Sequence, residues 1–335
     1  MSFAVFSERA EDKPLFLKKI PYMDFIASIA GVAVKWITDI EEEGESLKKD
    51  FFYHITADGG TAGEDYHEVR FVGTSEDLRL PHDVKEIWRG YYVNSFNEKI
   101  LWLQSPSEGL DYIKITDEKW LVHNRRAHKT TVFLKRWMEK NGVWKRRGIC
   151  GDIVLILHTV LAMYNRYSIH AAALESNGKA QVFLGQSGNG KSTLTADMTY
   201  QGMNYMGDDL CFLYKKDGLL HVGALLFKSR HFPKYTKRRK VQIDLIEKNK
   251  VKGTLNAPVD KLYYIERTKL KVSYLERTEP MAAVVNLIHA CNNCRMQYDV
   301  DVWSDLIQFA ADSVPFYTFH YGNRELVSRN MFENA

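Results

Sequence analysis

Residues 182–194 read VFLGQSGNGKSTL, and this stretch decides the fold. An apolar run, VFL, enters a loop with glycines at 185, 188 and 190. Lys191 and Ser192 follow, and then a stretch of helical character. Strand, glycine loop and helix in that order match G-x-x-x-x-G-K-[ST], a loop whose backbone N–H groups turn inward around a phosphate. Glycine is needed there because the backbone must take conformations closed to other residues. Lys191 is placed to reach β- and γ-phosphate oxygens, the Ser192 hydroxyl to hold Mg²⁺, and the positive end of the helix to add to both. Gly185, Ser187, Gly188, Asn189, Gly190, Lys191, Ser192 and Thr193 therefore form the candidate nucleotide site, and ATP and Mg²⁺ are the expected cofactors.

Outward from the loop, the preceding residues give YSIHAAALE, then Asn177-Gly178, then KAQVFLG. Two strand-like runs around Asn-Gly predict a hairpin with a type I′ turn. Continued without a bulge, this register sets His170 opposite Gly185. After the loop, KSTLTADMTYQG predicts a short helix closed by Gly202. NYMGDDLCFLYKKDGLLHV then reads as strand, acidic pair, strand, turn, strand. Asp208 and Asp209 are placed to face phosphates. One could ligate Mg²⁺, and the other could accept a proton from an attacking hydroxyl.

These residues, IHAAAL…NGKAQVFLGQSGNGKSTL…GMNYMGDDLCFL, resemble the P-loop catalytic domain of the HPr kinase/phosphorylase family, which shares its fold with ATP-dependent phosphoenolpyruvate carboxykinase. The resemblance covers about residues 167–214. It implies that His170 assists catalysis, that Lys191 and Ser192 bind phosphate and Mg²⁺, that Asp208 is the base, and that Asp209 lies at the metal. The family's downstream glutamate-arginine-glycine signature is not found; the nearest stretch is the basic FKSRHFPKYTKRRK. The chain looks more like the divergent HPr-kinase-like proteins of peptide-modifying gene clusters. Some of those, in the lasso-peptide group, phosphorylate a serine of a precursor peptide. The expected partner is thus a peptide or small protein bearing a serine. Two alternatives stay open: a kinase of a small molecule such as free serine, and a nucleotide-gated binding protein with slow hydrolysis.

The rest of the chain bounds this reading. Its 335 residues, 45% of them apolar, predict about two domains. Residues 1–125 are strand-rich, with YHEVRFVGT, YYVNSFNEKILWLQ and DYIKITDEKWLVHN, and carry no chemical motif; substrate recognition is their expected role. Residues 126–335 form the expected catalytic domain, opening with TTVFLKRWMEK and GDIVLILHTVLAMYNRY, both of helical spacing. The expected fold class is mixed α/β: a P-loop domain of the HPr kinase and carboxykinase type behind a strand-rich N-terminal domain.

A net charge of +4 gives no reason to expect nucleic acid. The basic run from Lys228 to Lys240 comes with no companion signature of a nucleic-acid-binding fold, so it reads as a solvated face or as a clamp on transferred phosphate or an acidic substrate through Arg230, or through one of Arg238 and Arg239. HACNNC at 289–294 has too few ligands for a structural zinc site and reads as ordinary structure. Four cysteines without a disulfide framework, no apolar run of the roughly 20 residues a membrane span needs, and a charged N-terminus predict a cytoplasmic protein that binds no membrane. Homo-oligomerisation is left open.

Overall fold

The computed structural model describes residues 23–38, 66–74, 77–91, 99–117, 119–135, 152–225, 254–270, 272–291, 300–322 and 327–333, with shorter pieces near 44–55, 137–145, 229–231 and 241–243. The fold is mixed α/β, built on two large sheets with few helices.

The first sheet has eight strands: β1 (Met23–Ile29), β2 (Val32–Thr38), β3 (His67–Thr74), β4 (Lys85–Tyr91), β5 (Lys99–Ser105), β6 (Leu110–Thr116), β7 (Lys119–Asn124) and β8 (Lys129–Lys135). They lie in the order β1-β2-β3-β8-β7-β6-β5-β4. TTVFLKRWMEK begins as β8 and not as a helix. Thr130, Val132 and Leu134 point inward with period two, and β-branched Thr and Val favour the extended chain, so the apolar face is a strand's face. This sheet therefore continues to Lys135, past residue 125, the expected end of the N-terminal domain; 125 falls in the β7–β8 turn. Two short strands, β9 (Trp137–Met138) and β10 (Trp144–Lys145), pair with each other.

Helix α1 (Asp152–Ala162) is buried on almost every side. A helix that is apolar all round belongs in a core. Ile153, Ile156, Leu157, Val160 and Leu161 pack into one cluster with Val34, Trp36, Phe71 and Leu121 of the first sheet. Leu210, Phe212 and Tyr214, from the second half of the chain, join the same cluster. The two sheets thus share a core.

The second sheet is built from β11 (Tyr167–Ile169), β12 (Ala172–Ser176), β13 (Lys179–Leu184), β14 (Asn204–Gly207), β15 (Cys211–Lys216) and β16 (Leu219–Ala224), with three later strands added below. Helix α2 (Lys191–Tyr200) lies between β13 and β14. A separate ribbon pairs β17 (Ser229–His231) with β18 (Val241–Ile243). The later strands of the sheet are β19 (Asn256–Arg267), β20 (Tyr274–Arg277) and β21 (Phe316–Tyr321). Helices α3 (Pro280–Ala290) and α4 (Val300–Ser313) precede β21, and α5 (Asn330–Glu333) closes the described chain. The order is β11-β15-β16-β19-β13-β12-β14, with β21 parallel to β19 and β20 beside β21.

Alternation places opposite neighbours in opposite layers. Val182, Leu184, Leu262 and Tyr264 face α3 and α4, whereas Phe183, Tyr263 and Ile265 face α2 and α5. Covered on both faces, β13 ends in the unbroken apolar run Val182–Leu184, as buried strands of parallel pairs do.

The hairpin at Asn177-Gly178 has the expected positive φ at both residues, 54° and 79°, and Ser176 faces Lys179. The ladder ends at Ala172 opposite Phe183. His170 is not paired with Gly185, because the chain changes partners there: β11 pairs with β15 instead, and the His170 N–H donates to the Ala290 carbonyl at the end of α3. None of the described helices is long and apolar enough to cross a membrane.

Candidate nucleotide site

Four strands set the site. β13, β19 and β21 run parallel, and β14 runs the same way because both it and β13 are antiparallel to β12. Loops from the carboxyl ends of such strands gather at one edge, where open α/β sheets place their ligands.

The loop after β13 is held by backbone conformation. Gly185, Gly188 and Gly190 have φ of 139°, 91° and 103°. At Gly185 a Cβ would lie 2.9 Å from the Ile265 carbonyl oxygen on neighbouring β19, so the strand pair leaves no room for a side chain. At Gly188 a Cβ would meet nothing within 4 Å: this part of the loop faces open space. Asn189 stiffens the turn, its amide donating to the Ile265 carbonyl at 2.9 Å and its N–H to the Gln186 carbonyl at 3.2 Å.

Helix α2 starts at Lys191 with Gly190 as its N-cap. It has no capping side chain and no acidic residue in its first turn. Its first N–H groups and the positive end of its dipole are therefore left to a ligand, which favours an anion. Lys191 is 5% exposed, and its ammonium donates to the carbonyls of Gly185 at 2.6 Å and Gln186 at 3.3 Å. The loop thus holds a buried cation at its own centre. Ser192 and Thr193 are half-buried in the first turn, and Ser187 is exposed on the loop. The open face of the loop at Gly188, the acid-free helix end and the central lysine together favour an anion.

Asp208 and Asp209 leave the end of β14, where Gly207 lies opposite Ala173 and Ala173 opposite Val182. Asp208 is 6% exposed and accepts the Asp209 N–H at 3.1 Å. Asp209 is exposed with φ of 71°, a left-handed conformation that aspartate tolerates better than most residues but that still carries strain. Burial, with the negative charges of Asp208 and Asp209, pushes the Cys211 thiol far above its usual range, so this cysteine is no nucleophile.

His170 reaches the acidic pair by another route than the hairpin register. Its Nδ1 lies 3.1 Å from the Asp209 carbonyl oxygen. A carbonyl only accepts, so Nδ1 is the donor, and in the neutral ring Nε2 carries the lone pair. The structure thus joins His170 to the acidic turn, and the sheet carries that turn to the same edge as the glycine loop.

Arg230 lies on β17, opposite Gln242; its side chain is outside the described residues, as are residues 232–240 of the basic run and 292–294 of HACNNC. The arginine the structure brings to the loop is Arg267, the last residue of β19. A Cβ on Gly190 would sit 2.9 Å from its Nη2 and 3.0 Å from Cε1 of Tyr321. The guanidinium stacks over the Tyr321 ring at 4.2 Å, which fixes it beside the loop. The signal for it was present in KLYYIER: an arginine ending a strand-like run, at the end where parallel sheets bind ligands.

No family model matches the chain. Among solved structures, the chain is similar to the Hpr(Ser) kinase/phosphatase from Coxiella burnetii, with 13% identity over 46% of this chain and 79% of that one, at a TM-score of 0.27.

Proposed function

We propose that this chain is an ATP- and Mg²⁺-dependent kinase that transfers the γ-phosphoryl group to a hydroxyl, a serine of a peptide or small protein. The observation that carries the reading is one sheet edge holding both a glycine-hinged loop around Lys191 and a buried carboxylate, Asp208, with His170 bound beside it.

In this reading the loop N–H groups, the first turn of α2 and Lys191 bind the phosphates. Ser192 and Asp209 hold Mg²⁺, which neutralises phosphate charge when bound. Asp208 accepts the proton of the attacking hydroxyl, and His170 keeps the acidic turn in place through Asp209. Arg267, beside the loop, joins Arg230 as a candidate for a planar cation toward transferred phosphate. The motif and the acid pair support this reading; the serine acceptor rests on the sequence resemblance.

A kinase of this design also leaks phosphate slowly to water, which allows a test before the acceptor is known. Phosphate release from Mg-ATP is measured alone and with serine-containing peptides or free serine. Asp208→Asn keeps the shape but cannot take a proton, so release and transfer fall by at least about a hundredfold while ATP affinity is kept. Arg267→Gln lowers turnover more than it lowers affinity. Wild-type turnover in Asp208→Asn overturns the assignment.

A further inference from the structure

A cavity lies where the two sheets meet, at the opposite end of β19 from the glycine loop. Its volume is about 320 Å³, within the roughly 300–1,000 Å³ of small-ligand sites. Arg166, Tyr214, Lys216, His221, Asn256 and Gly31 line it. Tyr214 on β15 faces His221 on β16, which faces Pro258 on β19, so one row of paired strands forms the floor. Gly31 supplies a wall from the β1–β2 turn, where a Cβ would touch the Tyr214 hydroxyl at 3.9 Å.

The cavity is cationic. Arg166 is half-buried; its Nε donates to the Ala30 carbonyl at 3.1 Å and its Nη1 to the Tyr164 carbonyl at 2.9 Å. The guanidinium stacks 4.1 Å from the Tyr214 ring, and His221 stacks on the same tyrosine at 5.5 Å. Among the described residues, Arg166 meets no carboxylate and none of the cavity's lining residues is acidic. The Arg166 guanidinium carries five N–H donors, more than the two carbonyls take, which suits an anion in the cavity. Lys216 adds a second positive charge.

We propose that this cavity binds a small organic phosphate. Two cations of different kinds suit a phosphate monoester: the rigid guanidinium fork takes two oxygens, and the mobile ammonium neutralises the second charge. The cavity exceeds what inorganic phosphate alone fills, leaving room for the ester group against His221. Because Arg166 and Gly31 reach in from outside the second sheet, a bound phosphate ties the two sheets together. This site does not rest on the kinase reading.

The test is NMR of the His221 ring in the full chain, its signal assigned by loss in His221→Gln, during titration with phenyl phosphate. Around His221 stand Arg166, Lys216, Asp217 and Tyr214. Burial and then Lys216 hold its pKa below the usual value. A bound dianion offsets Lys216 and Arg166 and raises it. The expected result is a saturable shift with a raised pKa. Lys216→Gln, on an exposed and structurally undemanding residue, weakens binding at least about fivefold, and Arg166→Gln weakens it further. Lys191→Ala leaves the response unchanged. The proposal is overturned by the absence of a saturable shift, by unchanged affinity in Lys216→Gln, by loss of the response in Lys191→Ala, or by benzoate binding as tightly as phenyl phosphate.

Discussion

Acid should loosen this protein well above the pH at which carboxylates titrate, because its core holds neutral histidines. His67 on β3 uses both ring nitrogens: Nδ1 meets the Tyr164 hydroxyl at 3.2 Å and Nε2 the Thr130 hydroxyl at 2.7 Å. The same Thr130 hydroxyl lies 2.7 Å from Nδ1 of His123. One hydroxyl has one proton to give, so it donates to one ring and accepts from the other. Burial, then the charge of nearby His128, lowers the His67 pKa from 6.5 to about 3. Burial lowers His158, which hydrogen-bonds Ser168, to about 3 as well. Burial, then His67 and Arg125, lowers His123.

The folded pKa values lie below the unfolded one, so the unfolded chain takes up protons first. Stability is complete above about pH 7.5 and is lost as pH falls through 6.5 toward 3. Between pH 8 and pH 5 each of His67 and His158 contributes a loss of about 2 kcal/mol, about 4 together. With an m-value of about 3 kcal/mol/M, the urea midpoint falls by more than about 1 M. Tryptophan fluorescence in urea at pH 8, 6 and 5 reads this. His67→Gln starts less stable at pH 8 but loses about 2 kcal/mol less on acidification. A midpoint that does not move between pH 8 and 5, or a His67→Gln chain that loses as much as the parent, refutes the reasoning.

Two further outcomes follow from packing. Gly185→Ala forces a side chain onto φ of 139° and sets a methyl 2.9 Å from the Ile265 oxygen, which also accepts Asn189. Strain and a weakened hydrogen bond together cost about 2–4 kcal/mol, read as a lowered urea midpoint with loss of Mg-ATP binding. A fragment of residues 126–335 alone should not fold to a native state. Gly223 on β16 sits against the β1–β2 turn so closely that a Cβ would lie 2.5 Å from Ala30 Cα, and α1 and Phe212 bury their surface against strands the fragment lacks. Dye binding and broad NMR lines are expected of it; a sharply folded fragment that binds nucleotide contradicts the shared core.

Much of the second sheet was legible because its signals are local. Asn177-Gly178 fixes a turn by backbone sterics, and the glycine loop fixes a strand–helix junction. The misreadings came from long-range choices. TTVFLKR has residues that suit either period over a short span, and only pairing with β3 and β7 makes it a strand. His170 could not be placed by extending a hairpin, because its partner is decided by β15, some 40 residues on. Arg267 is brought to Gly190 by the parallel pairing of β13 with β19, which crosses about 80 residues of chain. The shared core was hidden for the same reason: nothing in IASIAGVAV names β16 as the surface its turn will meet.

The measurement that bears most directly on the account is calorimetric titration of the full chain with ATP in the presence and absence of Mg²⁺, for the wild type and for Lys191→Ala. The account predicts one saturable Mg-ATP site in the wild type, with affinity reduced at least about tenfold in Lys191→Ala through loss of a charge-assisted contact of roughly 1.5–3 kcal/mol. No heat of binding with Mg-ATP in a folded wild-type chain, or equal affinity in Lys191→Ala, contradicts it.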